Sequence, residues 1–383
     1  MSNPDLGTVV ELLRREQADG WHEGAQCYVS VAGEVLLDAA VGTSDGERPL
    51  LTDDLMSWYS SGKPLTTTAI LRLWERGLLG LDDPVAEYVE GWGAGKERCT
   101  LRQVLVHTGG FTMSGRAELF DRDISYAEAI ARIAAHPVEW EPGTAAAYHP
   151  TSGWKVLGAV VEAVDGRPID RYLREEIFDP LGLANCRLGV SPAEQAQLAD
   201  RLVPVHWRGH TMPVLDRDGS LRMAAYRVDE IHNEPWHIAK VEPGGGARGP
   251  ARELGRFYES LLGFGAPLLE VGTVELMGAV HRYGMNDALF GRSLPWGLGV
   301  QVAFTGGTGR RAFGHGGMAS SRAFADPEVG LVVSLVTNGL ADYFSNEQRL
   351  FEITDAVYTA LGPDVARTRT EAKPVTAFGT LST

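Results

Sequence analysis

The chain has 383 residues, 44% of them hydrophobic and 22% charged, and a formal net charge of −15. That length can bury a large core in one big domain or two intertwined ones, and fifty acids against thirty-five bases argue against broad electrostatic binding to nucleic acid or anionic membranes. No apolar run approaches the roughly 18–20 residues of a membrane span, and the start Met1-Ser2-Asn3-Pro4-Asp5 carries no secretory pattern, so a cytoplasmic location is expected.

Helical spacing opens the chain, with Val9, Val10, Leu12 and Leu13 between charged residues. Two β-rich runs come next, Cys27 to Val31 and Val35 to Val41, and Ala32-Gly33-Glu34 between them predicts a hairpin. From about Pro64 to Leu262 the pattern is mostly helical. Thr66 to Leu79, Leu101 to Val106, Tyr126 to Ala135, Trp154 to Val164, Ile169 to Phe178 and Arg252 to Leu262 each carry one apolar face. Val203 to Glu242 is poorly periodic and reads as an irregular excursion. Strands return at Gly299 to Phe304, Ala319 to Ala325 and Leu331 to Val336, and a last helix is expected over Gln348 to Leu361. Strands at both ends with helices between them require a sheet that joins sequence-distant segments. Cys27, Cys99 and Cys186 are too scattered for a disulfide framework or a metal pattern and read as buried thiols.

Three short motifs compete for a nucleophile. Gly42-Thr43-Ser44-Asp45-Gly46 fits G-x-S-x-G, but the residues after it do not start a helix, so Ser44 reads as a turn residue. Ser60-Ser61-Gly62-Lys63 and Ser152-Gly153-Trp154-Lys155 both fit S-x-x-K. One helical turn places such a lysine beside its serine, and burial lowers the lysine pKa until a neutral amine can take the serine proton. Ser60 sits where a helix begins. Ser152 reads as part of a helix cap, and Lys155 as a solvated face residue. Lysine is scarce, at positions 63, 96, 155, 240 and 373 only, so each can be weighed singly.

Further along, Tyr148-His149-Pro150 comes after Pro142-Gly143, and His315-Gly316-Gly317-Met318 precedes a strand. Taken alone, Tyr148 and His315 read more readily as packed residues than as catalytic ones. Supporting strings lie in order around them: Leu81-Asp82-Asp83-Pro84-Val85, Thr100 to Phe111 with His107-Thr108-Gly109-Gly110, Gly158-Ala159-Val160-Val161-Glu162 and Phe324-Ala325-Asp326-Pro327-Glu328. Together they make the chain resemble the serine β-lactamase and penicillin-binding-protein superfamily, and within it the class C-like esterase and transacylase branch.

That resemblance implies an α+β fold, with an antiparallel sheet flanked by N- and C-terminal helices. It implies a discontinuous sheet domain (1–59 and 286–383), a mostly helical inserted domain (60–285) and a site between them. It implies Ser60 as the acylated nucleophile, Lys63 as its base and Tyr148 as a partner in proton traffic. A lysine ammonium beside Tyr148 would favour the phenolate, which leaves either group open as base. His315-Gly316-Gly317 takes the place of the family's K-T-G, with His315 and Gly317 beside the substrate, and the backbone N–H groups of Ser60 and Met318 form the oxyanion hole. His107 to Gly110 reads as a loop bracing the site.

Two departures bear on substrate. Pro150 replaces the Asn of Y-x-N and has neither a side-chain amide nor a backbone N–H. His315 replaces the Lys of K-T-G and is mostly neutral at pH 7. Both argue against efficient β-lactam or D,D-peptidase chemistry and favour a small ester, with water, an amine or an alcohol resolving the acyl-enzyme. The alternatives are a catalytically weak or inactive ligand-binding protein of the same fold, or residual β-lactamase or D,D-peptidase action. No metal or cofactor is expected, His206-x-x-x-His210 and His232-x-x-x-x-His237 being too interrupted for a metal site. The 203–242 stretch, with His206, Trp207, Trp236 and His237, either shapes the acyl or acceptor pocket or packs its own aromatics. Oligomeric state is left open.

Overall fold

Ala32 (φ 50°) and Gly33 (φ 78°) both adopt left-handed backbone, the geometry that lets two residues close a twisted hairpin. They join β1 (Gly24–Val31) to β2 (Glu34–Gly42). The computed structural model describes residues 4–366 apart from 113–120, 216–220, 226, 228, 305–306 and 319. Four more strands from the far end of the chain complete the sheet: β3 (Gln301–Val302), β4 (Phe313–Gly317), β5 (Ser321–Asp326) and β6 (Leu331–Thr337). The order is β3-β4-β5-β6-β1-β2, antiparallel throughout. The fold is α+β, as expected.

Period-two alternation assigns the two faces of this sheet. Cys27, Val29, Phe324, Leu331, Val333 and Leu335 point to one side, where they meet α1 (Gly7–Ala18) through Val9 and Leu13 and α5 (Tyr343–Ala360) through Leu350, Ile353 and Val357. Ala323, Ala325, Val332 and Val336 point to the other, against Leu254, Phe257 and Leu261 of α4 (Ala251–Leu261). Covered on both faces, β6 is buried at every residue, which explains its near-continuous apolar run. Two more helices position the site: α2 (Lys63–Glu75) and α3 (Ser152–Asp165), packed on each other through the same core. No helix among the described residues is long and apolar enough to cross a membrane.

Several boundaries differ from expectation for local reasons. Helix α2 starts at Lys63 rather than Thr66, because Pro64 falls in the first turn, where its missing N–H costs nothing. Helix α5 starts at Tyr343 rather than Gln348, with the Asp342 carboxylate accepting the Ser345 N–H (3.2 Å) as a cap. The run 299–304 yields only the two residues of β3, since Gly299 (φ 64°) and Ala303 (φ 47°) leave extended backbone on either side. The helix expected over 169–178 widens into a π turn over Arg174–Phe178. Ala319, at the expected start of a strand, lies outside the described residues. The described part of 203–242 is more regular than its sequence suggests. His206–Arg208 pairs in parallel with Gly339–Ala341, and Thr211–Leu215 pairs with Leu221–Ala225.

Candidate active site

Ser60 lies in a tight 3-10 turn, Tyr59–Gly62, that runs directly into α2. The turn is held from several sides. The Trp58 indole N–H donates to the Gly249 carbonyl (2.8 Å), the Ser61 hydroxyl to the His315 carbonyl (2.9 Å) and the Ser321 hydroxyl to the Trp58 carbonyl (2.7 Å). Tyr59 itself has φ 48°. A bulky non-glycine residue there stores about 1–3 kcal/mol of backbone strain that the surrounding packing must offset.

Two groups converge on Ser60 Oγ: Lys63 Nζ at 3.0 Å and the Tyr148 hydroxyl at 2.9 Å. Lys63 is fully buried, and its Nζ also reaches the Pro150 carbonyl (2.8 Å) and the Gly244 carbonyl. Burial, and after it the charge of Lys155, hold its pKa well below the ordinary lysine range. A neutral amine has two N–H groups and one lone pair. With both N–H groups engaged by carbonyls, the lone pair is left to face the Ser60 hydroxyl.

Tyr148 precedes α3 and is fixed by its backbone. Its N–H donates to Asp287 Oδ1 (3.1 Å), and Asp287 is itself paired with the buried Arg282 (3.1 Å). The ring packs against Trp296 at 5.9 Å between centroids and against His107 at 4.7 Å. Burial raises the Tyr148 pKa, against a smaller opposing effect of the Ser60 hydrogen bond. The phenolate that a neighbouring ammonium would favour is therefore disfavoured, since that lysine is held toward its neutral form.

Strand β4 brings His315, Gly316 and Gly317 alongside this turn. A Cβ on Gly317 would lie 2.3 Å from Ser321 Oγ and 2.4 Å from the Trp58 carbonyl oxygen, so only glycine allows the strand so close. Met318, with φ 23°, comes immediately after and packs with Tyr59, Val205 and Leu340. His315 is buried, its Nδ1 bonded to the Gly316 carbonyl (2.6 Å), and burial pushes its pKa down to about 3. It is neutral.

Ser60, Tyr148, Pro150, His315, Gly316 and Met318 line one cleft, whose far wall comes from Phe290, Trp296 and the first turns of α5. Neither Ser44 nor Ser152 lines it. Ser44 sits in a bend with its N–H on the Arg48 carbonyl (2.9 Å), and the Ser152 hydroxyl donates to the Phe111 carbonyl (3.0 Å). From the described part of 203–242 only His210 reaches the cleft. His206, Trp207, Trp236 and His237 do not, and Trp207 and Trp236 stack with Arg227 and Lys240 instead. His107 (φ 62°) braces Tyr148 and accepts the His149 N–H on its Nδ1 (3.1 Å). Lys155 is a correction: it is buried in an ion pair with Glu242, not solvated, because α3 turns that face onto the loop carrying Glu242. Nothing in the sequence motifs marks Pro150, Gly244, Asp287 and Arg282 as holders of Lys63 and Tyr148. The one signal available is the Pro243-Gly244-Gly245-Gly246 run, a composition that permits close backbone approach.

The chain is similar to proteins already known. The family model described as Beta-lactamase matches residues 9–358. The chain is 30% identical to Esterase EstB of Burkholderia gladioli, covering 88% of this chain and 90% of that one. It is 27% identical to the Esterase/beta-lactamase LipL of Mycobacterium tuberculosis, covering 93% and 86%. Among solved structures, a penicillin-binding protein homologue from Caulobacter crescentus superposes with a TM-score of 0.77 at 26% identity, covering 93% and 98%. A match that spans nearly the whole sequence settles the relationship: the chain belongs to the beta-lactamase family.

Proposed function

We propose that this protein is a serine acyl-transfer enzyme that hydrolyses or transacylates small carboxylic esters through an acyl-enzyme on Ser60. The observation that carries this reading is the convergence of Lys63 Nζ and the Tyr148 hydroxyl on Ser60 Oγ inside one cleft. The similarity to EstB and LipL, both named as esterases, supports it. Ser60 Oγ attacks the ester carbonyl while its proton passes to the Lys63 amine, and the backbone N–H groups of Ser60 and Met318 receive the oxyanion. Collapse breaks the bond to the alkoxide, which takes the proton back by way of the Tyr148 hydroxyl. Water or an alcohol then gives its proton to Lys63 and attacks the acyl carbon, and Ser60 leaves with that proton. An amine acceptor takes the same path.

Pro150 supplies no amide and His315 no positive charge, so the binding groups for a β-lactam amide and carboxylate are missing. The test uses p-nitrophenyl butyrate, with Ser60→Ala as control and nitrocefin beside it, because the LipL name joins both activities. A burst of p-nitrophenol, a fluorophosphonate adduct on the Ser60 peptide and negligible nitrocefin turnover are expected. Equal turnover by wild type and Ser60→Ala would overturn the reading.

A further inference from the structure

Lys155 and Glu242 form an ion pair whose two side chains are each about nine-tenths buried or more. Isolating two charges in this way is costly unless the geometry serves them well, and this pair adjoins Lys63. Glu242 Oε1 accepts the Gly244 N–H (3.2 Å), and the Glu242 carbonyl accepts the N–H groups of Gly245 (3.1 Å) and Gly246 (2.7 Å). One residue thus folds 242–246 into a tight turn, and the Gly244 carbonyl on it bonds Lys63. A Cβ on Gly244 would lie 3.0 Å from the Pro150 oxygen, the other carbonyl that holds Lys63, and 3.1 Å from Trp154 Cβ. Lys155 is next to Trp154 on α3, so the pair ties the segments carrying both carbonyls together.

We infer that Lys155 and Glu242 are a positioning pair that fixes the Gly244 carbonyl on Lys63 and keeps the Lys63 amine in the form able to accept the Ser60 proton. The inference rests on Ser60 being the nucleophile. Its electrostatic part comes from the other groups that face Lys63. His315 on β4 and His107 are held neutral by burial, and Tyr148 is held protonated. Arg282, behind His107, is paired with Asp287. His237, near Lys155, is likewise pushed down to about 3. Burial lowers the Lys63 pKa most; among the described residues facing Lys63, the charges left are those of Lys155 and Glu242, and Lys155 lowers it further.

The experiment is the pH profile of kcat/KM for p-nitrophenyl butyrate in wild type, Lys155→Met, Glu242→Gln and the double variant, with folding checked by circular dichroism. Removing the Lys155 cation raises the Lys63 pKa, so the acid limb of Lys155→Met moves up by about one pH unit. Glu242→Gln leaves Lys155 buried without its carboxylate, which favours the neutral amine there too, so its limb also moves up, and kcat falls because the ion pair holding the turn is lost. The uncharged double variant removes the Lys155 effect without stranding either partner, and its limb also moves up. It carries the test if a single variant fails to fold. A merely structural pair would lower stability and leave the limb unmoved. An unmoved limb in Lys155→Met or in the double variant overturns the inference. Ser60→Ala runs alongside. If it retains turnover, the acyl-enzyme reading fails; if it is dead while the limbs stay still, only the positioning pair fails.

Discussion

Lys63 Nζ lies 3.0 Å from Ser60 Oγ, within the reach of a proton transfer, in a site that suits the lysine in either protonation state. As an ammonium it has three donors for Ser60 and two carbonyls; as an amine it keeps both carbonyls and turns its lone pair to Ser60. Burial decides for the amine, and the same burial carries a stability signature. With the folded pKa below the unfolded value of about 10.4, the unfolded chain binds the extra proton at intermediate pH, so raising the pH favours the folded state. Wild type should therefore gain stability relative to Lys63→Met as the pH rises from about 7 to about 10, as read from urea midpoints. A flat difference would mean that Lys63 titrates normally. Ser60 and Lys63 were legible as a pair because S-x-x-K spacing is chemical, whereas Tyr148 entered only through the family resemblance. The carbonyls of Pro150 and Gly244 were not legible, since every residue has a carbonyl and only the fold aims one.

At the scale of elements, periodicity located α4 to within a residue at each end, yet it was silent on why Gly255 stands in mid-helix. A Cβ there would lie 2.3 Å from the Tyr28 ring on β1, so the glycine sets how closely α4 approaches the sheet. The Tyr28 hydroxyl then reaches Glu259 (2.7 Å) one turn further on. Gly255→Val should cost about 1–3 kcal/mol through overpacking, measured by chemical denaturation. An unchanged midpoint would show that the helix can lift off without loss. Ends of elements were harder to read than their middles. Pro64 and Asp342 extend α2 and α5 beyond their apolar periodicity, and the short strands 206–208 and 339–341 pair across more than a hundred residues, a relationship no local pattern reveals.

Across the whole molecule, the first strands and the last close on each other, β1 pairing with β6 along its length. Asn338 seals that junction: its Oδ1 accepts the N–H groups of Glu23 (3.0 Å) and Gly24 (2.8 Å), while its Nδ2 donates to the Ser44 carbonyl (2.9 Å). The buried Arg349–Glu16 pair (3.0 Å) repeats the tie between α5 and α1. Asn338→Ala strands buried backbone donors and should cost about 2–3 kcal/mol, with ester turnover at permissive temperature largely kept. A loss below about 0.5 kcal/mol would mean other contacts hold the ends. Strands at both termini announced this closure in the sequence; the residue that locks it did not stand out, being one asparagine after a strand.

Of the two neighbouring glycines on β4, only Gly317 is demanded by contact. At Gly316 an added Cβ would meet nothing nearer than the Ser321 carbonyl oxygen at 3.7 Å, and the position lines the cleft. The backbone there tolerates a side chain, so the fold around Ser60 does not demand glycine at this position. A small side chain at Gly316 can therefore narrow the cleft without rebuilding the scaffold around Ser60.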